Sequence, residues 1–167
     1  PELMDDEAQA LAYAEADFEE PHSHFIELFQ QTFPELNING SVVDLGCGPA
    51  DISIRFATAY PECVLHGVDA AAAMLALGVK AIERTGLQDR IRLLQGYLPG
   101  VSLPIQQYDT VISNSLLHHL TDPMTLWQTI QEFAAPAAPL FVMDLMRPAS
   151  TQQAQALVKE YAAEEPQ

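Results

Sequence analysis

The segment Val42-Val43-Asp44-Leu45-Gly46-Cys47-Gly48-Pro49-Ala50 restricts the fold of this chain more than any other. A β-branched run from Ser41 to Leu45 stops at two glycines one residue apart, and a helical pattern follows from about Ala50 to Tyr60. Glycines at such a handover permit positive φ, and their missing side chains let a ligand touch the backbone. Strand, glycine turn and helix in that order open a βαβ unit, and the rest of the chain repeats the alternation. Further strands are expected at Cys63–Val68, Arg90–Gln95, Tyr108–Ser113 and Leu140–Leu145. The expected helices between and after them cover Ala70–Arg84, Pro123–Ala134 and Thr151–Ala163, and Pro99–Gln107 reads as a loop. Alternating strands and helices imply an α/β fold with a mostly parallel sheet, and right-handed crossovers favour the doubly wound form with helices on both faces.

Before this pattern starts, residues 1–40 read as a helical arm or lid ahead of a core over 41–167. Asp5–Glu20 is an acidic, alanine-rich helix, Pro21 is expected to interrupt it, and His22–Phe33 carries an apolar helical face. Tyr13, Asp17 and Phe18 are candidates for a lid. His22-Ser23-His24 offers two imidazoles, but a spacing of two on a helix splays them apart, so no metal site is expected there.

Charge narrows the function. Seven Lys and Arg oppose 23 Asp and Glu, a net charge of −16. Gripping nucleic acid requires basic residues that displace counterions from phosphates, so direct nucleic-acid binding is disfavoured. An anionic membrane is disfavoured for the same reason, and no apolar run is long enough to span one. A small-molecule partner fits better, while a basic target peptide stays open. The acidic start has no basic stretch followed by an apolar one, and Cys47 and Cys63 are the only cysteines, too few for a disulfide framework or a zinc site. Together these suggest a cytoplasmic location.

Two carboxylates refine the ligand. Asp44 stands two residues before Gly46, where it would repel a pyrophosphate brought to the helix N-terminus and attract a ligand carrying an ammonium group. Asp51 occupies the place of the third glycine in a dinucleotide fingerprint, which further lowers the NAD reading. Asp69 ends the second strand, 21 residues after Gly48, the spacing at which an acid reaches a ribose hydroxyl pair.

Four segments together resemble the class I S-adenosylmethionine-dependent methyltransferases. Val42–Pro49 looks like their first motif, and Gly67-Val68-Asp69 with Met74-Leu75 is similar to the region after it. Tyr108–Leu120 resembles their fourth motif and its sequel. Ala134–Met146 resembles the loop and fifth strand, although the usual Pro-Gly-Gly turn reads Ala-Pro-Ala-Ala-Pro here. The resemblance implies S-adenosylmethionine as cofactor. Asp44, Gly46 and Gly48 would hold the methionine part, with Cys47 contributing backbone. Asp69 would hold the ribose, and Ala70 and Met74 would flank the adenine. Gly96 falls where the family often has Gly-Asp, but Tyr97 follows it here and could stack on the base instead. Asn114 would lie under the transferred methyl, and His118 or His119 could serve as a base, of more use to a carbon or oxygen acceptor than to a nitrogen or thiol one. The expected function is methyl transfer to a small molecule, and the alternative is a ligand-binding module without turnover. The family's sheet ordinarily has seven strands, and this chain has no room for the last two, so the fifth strand's edge is expected to be open to self-association.

Overall fold

The computed structural model describes residues 6–15, 19–146, 148–153 and 155–156. Five parallel strands form one sheet in the order β3-β2-β1-β4-β5. They are β1 (Ser41–Leu45), β2 (Val64–Asp69), β3 (Ile91–Gln95), β4 (Thr110–Asn114) and β5 (Leu140–Met143). The helices are α1 (Glu7–Glu15), α2 (Glu19–Thr32), α3 (Asp51–Ala59), α4 (Ala72–Thr85) and α5 (Met124–Phe133). The doubly wound expectation therefore holds. The chain runs outward from β1 to β3, then returns to place β4 on the other side of β1. Ligands in such sheets bind beyond the carboxyl ends of the strands, where this reversal parts the connecting segments.

Strand pleating sends alternate side chains to opposite faces, and both faces are covered. Val42, Leu65, Ile91 and Ile112 pack with Phe25, Ile26 and Phe29 of α2 and with Ile52 and Phe56 of α3. On the other face Val43, Leu45 and Val111 meet Leu126, Ile130 and Phe133 of α5. Burial on both faces explains why the strands read as near-continuous apolar runs.

The N-terminal arm is part of this packing. Phe29 has no exposed surface and sets its ring against Phe56, Tyr60 and Phe141 at centroid distances of 4.9, 5.7 and 5.6 Å. Pro21 does not interrupt a helix. It is the third residue of α2, and a helix's first turn tolerates proline because its N–H groups lack intrahelical partners. Tyr108 lies ahead of β4 rather than inside it, as an isolated bridge to Ala134, and its hydroxyl shares a 2.7 Å hydrogen bond with His66 Nδ1. The last expected helix is helical at 151–153 and 155–156, and the remainder of it lies outside the described residues. Among the described residues β5 pairs only with β4, and no helix is long and apolar enough to cross a membrane.

Candidate active site

Four of the strands carry an Asp or Asn at or beside their carboxyl end. Asp44 is the penultimate residue of β1, Asp69 and Asn114 are the last of β2 and β4, and Asp144 follows β5 directly. Beyond these ends lies a cleft of about 730 Å³, within the roughly 300–1,000 Å³ of small-molecule and cofactor sites.

The β1–α3 turn forms its floor. Gly46 and Gly48 take φ values of 78° and 50°. The amides of Gly46 and Cys47 both donate to the Val68 carbonyl, at 2.8 and 3.0 Å, which ties the turn to β2. A Cβ on Gly46 would lie 2.8 Å from the Leu116 side chain, whereas a Cβ on Gly48 would meet nothing within 4 Å. Gly46 is thus needed for packing and Gly48 leaves its backbone open to the cleft.

Asp69 closes this corner. One carboxylate oxygen accepts from the Gly48 amide at 2.9 Å and the other from the Ala71 amide at 2.8 Å. A carboxylate has about four acceptor positions, so roughly two remain for a ligand. Ala70, Met74, Gly96 and Tyr97 line the same end of the cleft. Met74 packs against Ala10, Ala71 and Tyr13, so α1 supplies part of the wall. Tyr13 itself lines the cleft, and its phenol pKa is raised by burial and by Asp69 and Asp51. The other two candidate lid residues, Asp17 and Phe18, lie outside the described residues. Tyr97 stands on the rim, 60 % exposed.

Asp44 and Cys47 lie beneath this floor and do not line the cleft. Asp44 is 1 % exposed and accepts a 2.6 Å hydrogen bond from the Ser53 hydroxyl. Burial pushes its carboxyl up to about 7, with the Ser53 bond opposing that rise and the Asp69 charge reinforcing it. The buried Cys47 thiol is pushed up as well, first by burial and then by Asp44. Its amide is the part of Cys47 that helps build the turn.

At the opposite end, Asn114, Ser115 and His118 line the cleft. Ser115 takes a φ of 57° and donates its amide to the Met143 carbonyl at 2.9 Å, holding the β4 exit against β5. A single 3₁₀ turn, Leu117–His119, follows. His118 Nδ1 lies 2.7 Å from an Asp144 carboxylate oxygen, and the Leu117 amide donates to the other oxygen at 2.6 Å. The sequence places Asp122 near the His118-His119 pair, but Asp122 instead accepts from the Met124 amide at the start of α5. Asp144 escaped sequence reasoning. Its one signal was position, an acid directly after a parallel strand.

His22 also lines the cleft and escaped notice as a site residue. Its Nδ1 is 2.7 Å from Asp51, which also accepts from Arg55 Nε at 2.6 Å, and Arg55 reaches Glu19 at 2.6 Å. Burial raises the Asp51 carboxyl, but His22 and Arg55 outweigh that and hold it below the usual carboxylate value. The network fastens α2 to α3. His24 faces Glu27 instead, at 3.7 Å. Among the described residues no group of His, Cys, Asp and Glu is arranged to hold a metal ion.

Residues 42–139 match the family described as "Methyltransferase domain". The chain is 41 % identical over 75 residues to release factor glutamine methyltransferase of Gloeobacter violaceus, covering 44 % of this chain and 25 % of that protein. It is 30 % identical over 112 residues to protein arginine N-methyltransferase 1 of Schizosaccharomyces pombe, covering 67 % of this chain and 28 % of that protein. The chain therefore spans about a quarter of the length of these curated relatives. A crystal structure from Methanococcus maripaludis, described as that of "a putative s-adenosyl-l-methionine-dependent methyltransferase", superposes with a TM-score of 0.76 at 20 % identity. That match covers 99 % of this chain and 75 % of that one. The family match takes in β1 to β4, the glycine turn, Asp69 and the His118 turn, more than half of the chain. This chain belongs to the class I, S-adenosylmethionine-dependent methyltransferase family.

Proposed function

We propose that the cleft binds S-adenosylmethionine and that the protein transfers its methyl group to a small-molecule acceptor. The observation that carries this reading is Asp69, fixed by the Gly48 and Ala71 amides at the mouth of the glycine turn with acceptor capacity to spare. That capacity suits the two hydroxyls of a ribose. The open space over Gly48 suits a ligand that touches backbone. No Lys or Arg stands among the described residues lining the cleft, so a pyrophosphate would lack a counter-charge and a cationic ligand would not be repelled.

On this reading Ala70, Met74, Gly96 and Tyr97 flank the adenine. Gly46 and Gly48 hold the methionine part, with Cys47 and Asp44 beneath them. When bound, S-adenosylmethionine supplies a methyl group already activated by its sulfonium. The work of the protein is then alignment and exclusion of water, and well-oriented reactants gain roughly 7–11 kcal/mol from proximity alone. Asn114 and His118 face the acceptor side. The apolar Leu98, Leu116, Leu120 and Leu145 line a concave site suited to a small molecule rather than an extended chain.

Titration calorimetry with S-adenosylhomocysteine tests the cofactor reading, with NADH as control. Micromolar binding that Asp69→Ala abolishes is expected. Binding of NADH in place of the S-adenosyl ligand would reject it. A second reading, a basic peptide as acceptor, draws on the net charge of −16 and on the protein-directed names of the two curated relatives. Release of S-adenosylhomocysteine with arginine- and glutamine-bearing peptides, and not with small molecules, would favour it. Ligand binding without turnover on either class would favour a binding module.

A further inference from the structure

Resting on the cofactor reading above, we infer that Asp144 is a positioning residue that orients His118 to take a proton from a neutral hydroxyl acceptor, of phenol or enol type.

The inference starts from how Asp144 is held. Its side chain is 11 % exposed and its carboxylate receives three donors. The Leu117 amide binds one oxygen at 2.6 Å, and the Leu145 amide and His118 Nδ1 bind the other, both at 2.7 Å. The two amides fix the carboxylate in place. The imidazole is thereby fixed too, because a carboxylate accepts only, so Nδ1 must carry the hydrogen. In the neutral ring this leaves the lone pair on Nε2, which has no partner among the described residues, and His118 lines the cleft. The His119 ring lies over the His118 ring at 4.1 Å and limits its rotation. A base must be aimed before it is useful, and this one is aimed by an acid that two amides hold in place.

The acceptor class follows from what the cleft lacks and what the dyad offers. A carboxylate or phosphate acceptor needs no base and would need a cation, and no Lys or Arg lines the cleft among the described residues. A thiol supplies some thiolate near neutrality and a weakly basic amine carries a free lone pair there, so these gain less from a base. A hydroxyl on a ring or enol keeps its proton near neutrality and is a poor nucleophile until that proton leaves. Leu116, Leu120, Met143 and Leu145 give such a ring an apolar wall. In the step itself the hydroxyl oxygen forms a bond to the methyl carbon while its proton passes to His118 Nε2. The electron pair of the breaking carbon–sulfur bond stays with sulfur, whose positive charge is lost. The charge gained by the imidazolium is held by Asp144 until the proton leaves to water.

The test uses the whole chain with the variants Asp144→Asn and His118→Gln. S-adenosylhomocysteine binding by calorimetry comes first and should be the same in all three proteins. Turnover is then read somewhat above neutrality, where para-cresol and catechol keep their protons and para-nitrophenol is largely ionised. Each variant should lower kcat on the protonated phenols by about 10²-fold, and the double variant should be no worse than either single one. On para-nitrophenol the losses should be within about 3-fold, because general-base help is no longer needed. Nitrogen NMR of the unliganded protein should find the neutral His118 ring protonated at Nδ1 and should lose that preference in Asp144→Asn. Equal losses on all three phenols would make Asp144 a loop clamp and overturn the inference. A wild-type protein that binds S-adenosylhomocysteine but turns over none of the phenols would overturn the hydroxyl class alone. Failure to bind the ligand would remove the cofactor reading with it.

Discussion

At the β1–β2 end of the cleft a main-chain amide meets a carboxylate across 21 residues of sequence, Gly48 to Asp69. At the β4–β5 end the closing contact joins two side chains across 26 residues, His118 to Asp144. The first end is built on central strands, with β1 and β2 each paired on both sides. The second depends on β5, which has one strand neighbour among the described residues and is held from the sheet's face by α2, through Phe25 and Phe29 against Phe141. A nucleoside-shaped ligand is common to every reaction of a methyl-transfer fold, so its end can be rigid. Acceptors are where such reactions differ, and on the reading proposed above the acceptor end is assembled from side chains on a turn and beside β5.

Phe29→Ala strains this contrast most. Removing a fully buried ring should cost roughly 3–5 kcal/mol in urea unfolding. Hydrogen exchange should rise more at Phe141 to Met143 than at Val43 to Leu45, since the first group lies on the strand that α2 supports. Equal acceleration at both would break the comparison.

Asp44 gives the next largest effect, and it acts at the β1–β2 end. Its folded pKa of about 7 lies above the ordinary carboxylate value. The folded chain therefore holds a proton that the unfolded chain releases near pH 4. The stability owed to this group is complete below about pH 4 and is lost as the pH rises through 7, up to roughly 4 kcal/mol. Urea midpoints between pH 4 and 8 should fall more steeply in the wild type than in Asp44→Asn, which keeps an acceptor for Ser53. Parallel curves for the two proteins would show that Asp44 does not titrate in this range.

The smallest effects separate the two glycines. Gly46→Ala sets a side chain at positive φ and against Leu116, so it should lower stability by more than the roughly 1–2 kcal/mol of the left-handed backbone alone. Gly48→Ala bears the backbone cost without a clash, and its methyl group enters the cleft. It should weaken S-adenosylhomocysteine binding about tenfold, ~1.4 kcal/mol, while Gly46→Ala acts first on the melting temperature.

The same contrast governs what could be read from sequence. The glycine turn, Asp69 and the alternation of strands with helices are short-range patterns, and periodicity with spacing was enough to find them. Asp44 was visible as a residue but not as a buried one. Pleating turns its side chain to the face that carries Val42, where Ser53 of α3 covers it. Pro21 misled because its effect depends on where a helix starts, which the neighbouring acids did not reveal. Asp144 was out of reach because its role exists only once β5 lies beside β4, with Asn114 opposite Met143. Asp122 is nearer to His118 in sequence, yet it accepts from the Met124 amide at the start of α5.

The amides on Asp69 have one more consequence, for the kinetics of binding. The Gly48 and Ala71 amides hold the carboxylate through contacts internal to the protein, and the Val68 carbonyl holds the turn in the same way. A ligand arriving at this corner meets a surface that is set, so little ordering entropy is left to lose on association. Its capture rate should then be governed by encounter and orientation rather than by loop rearrangement. Discrimination between adenosine-bearing ligands would reside in how long each one stays.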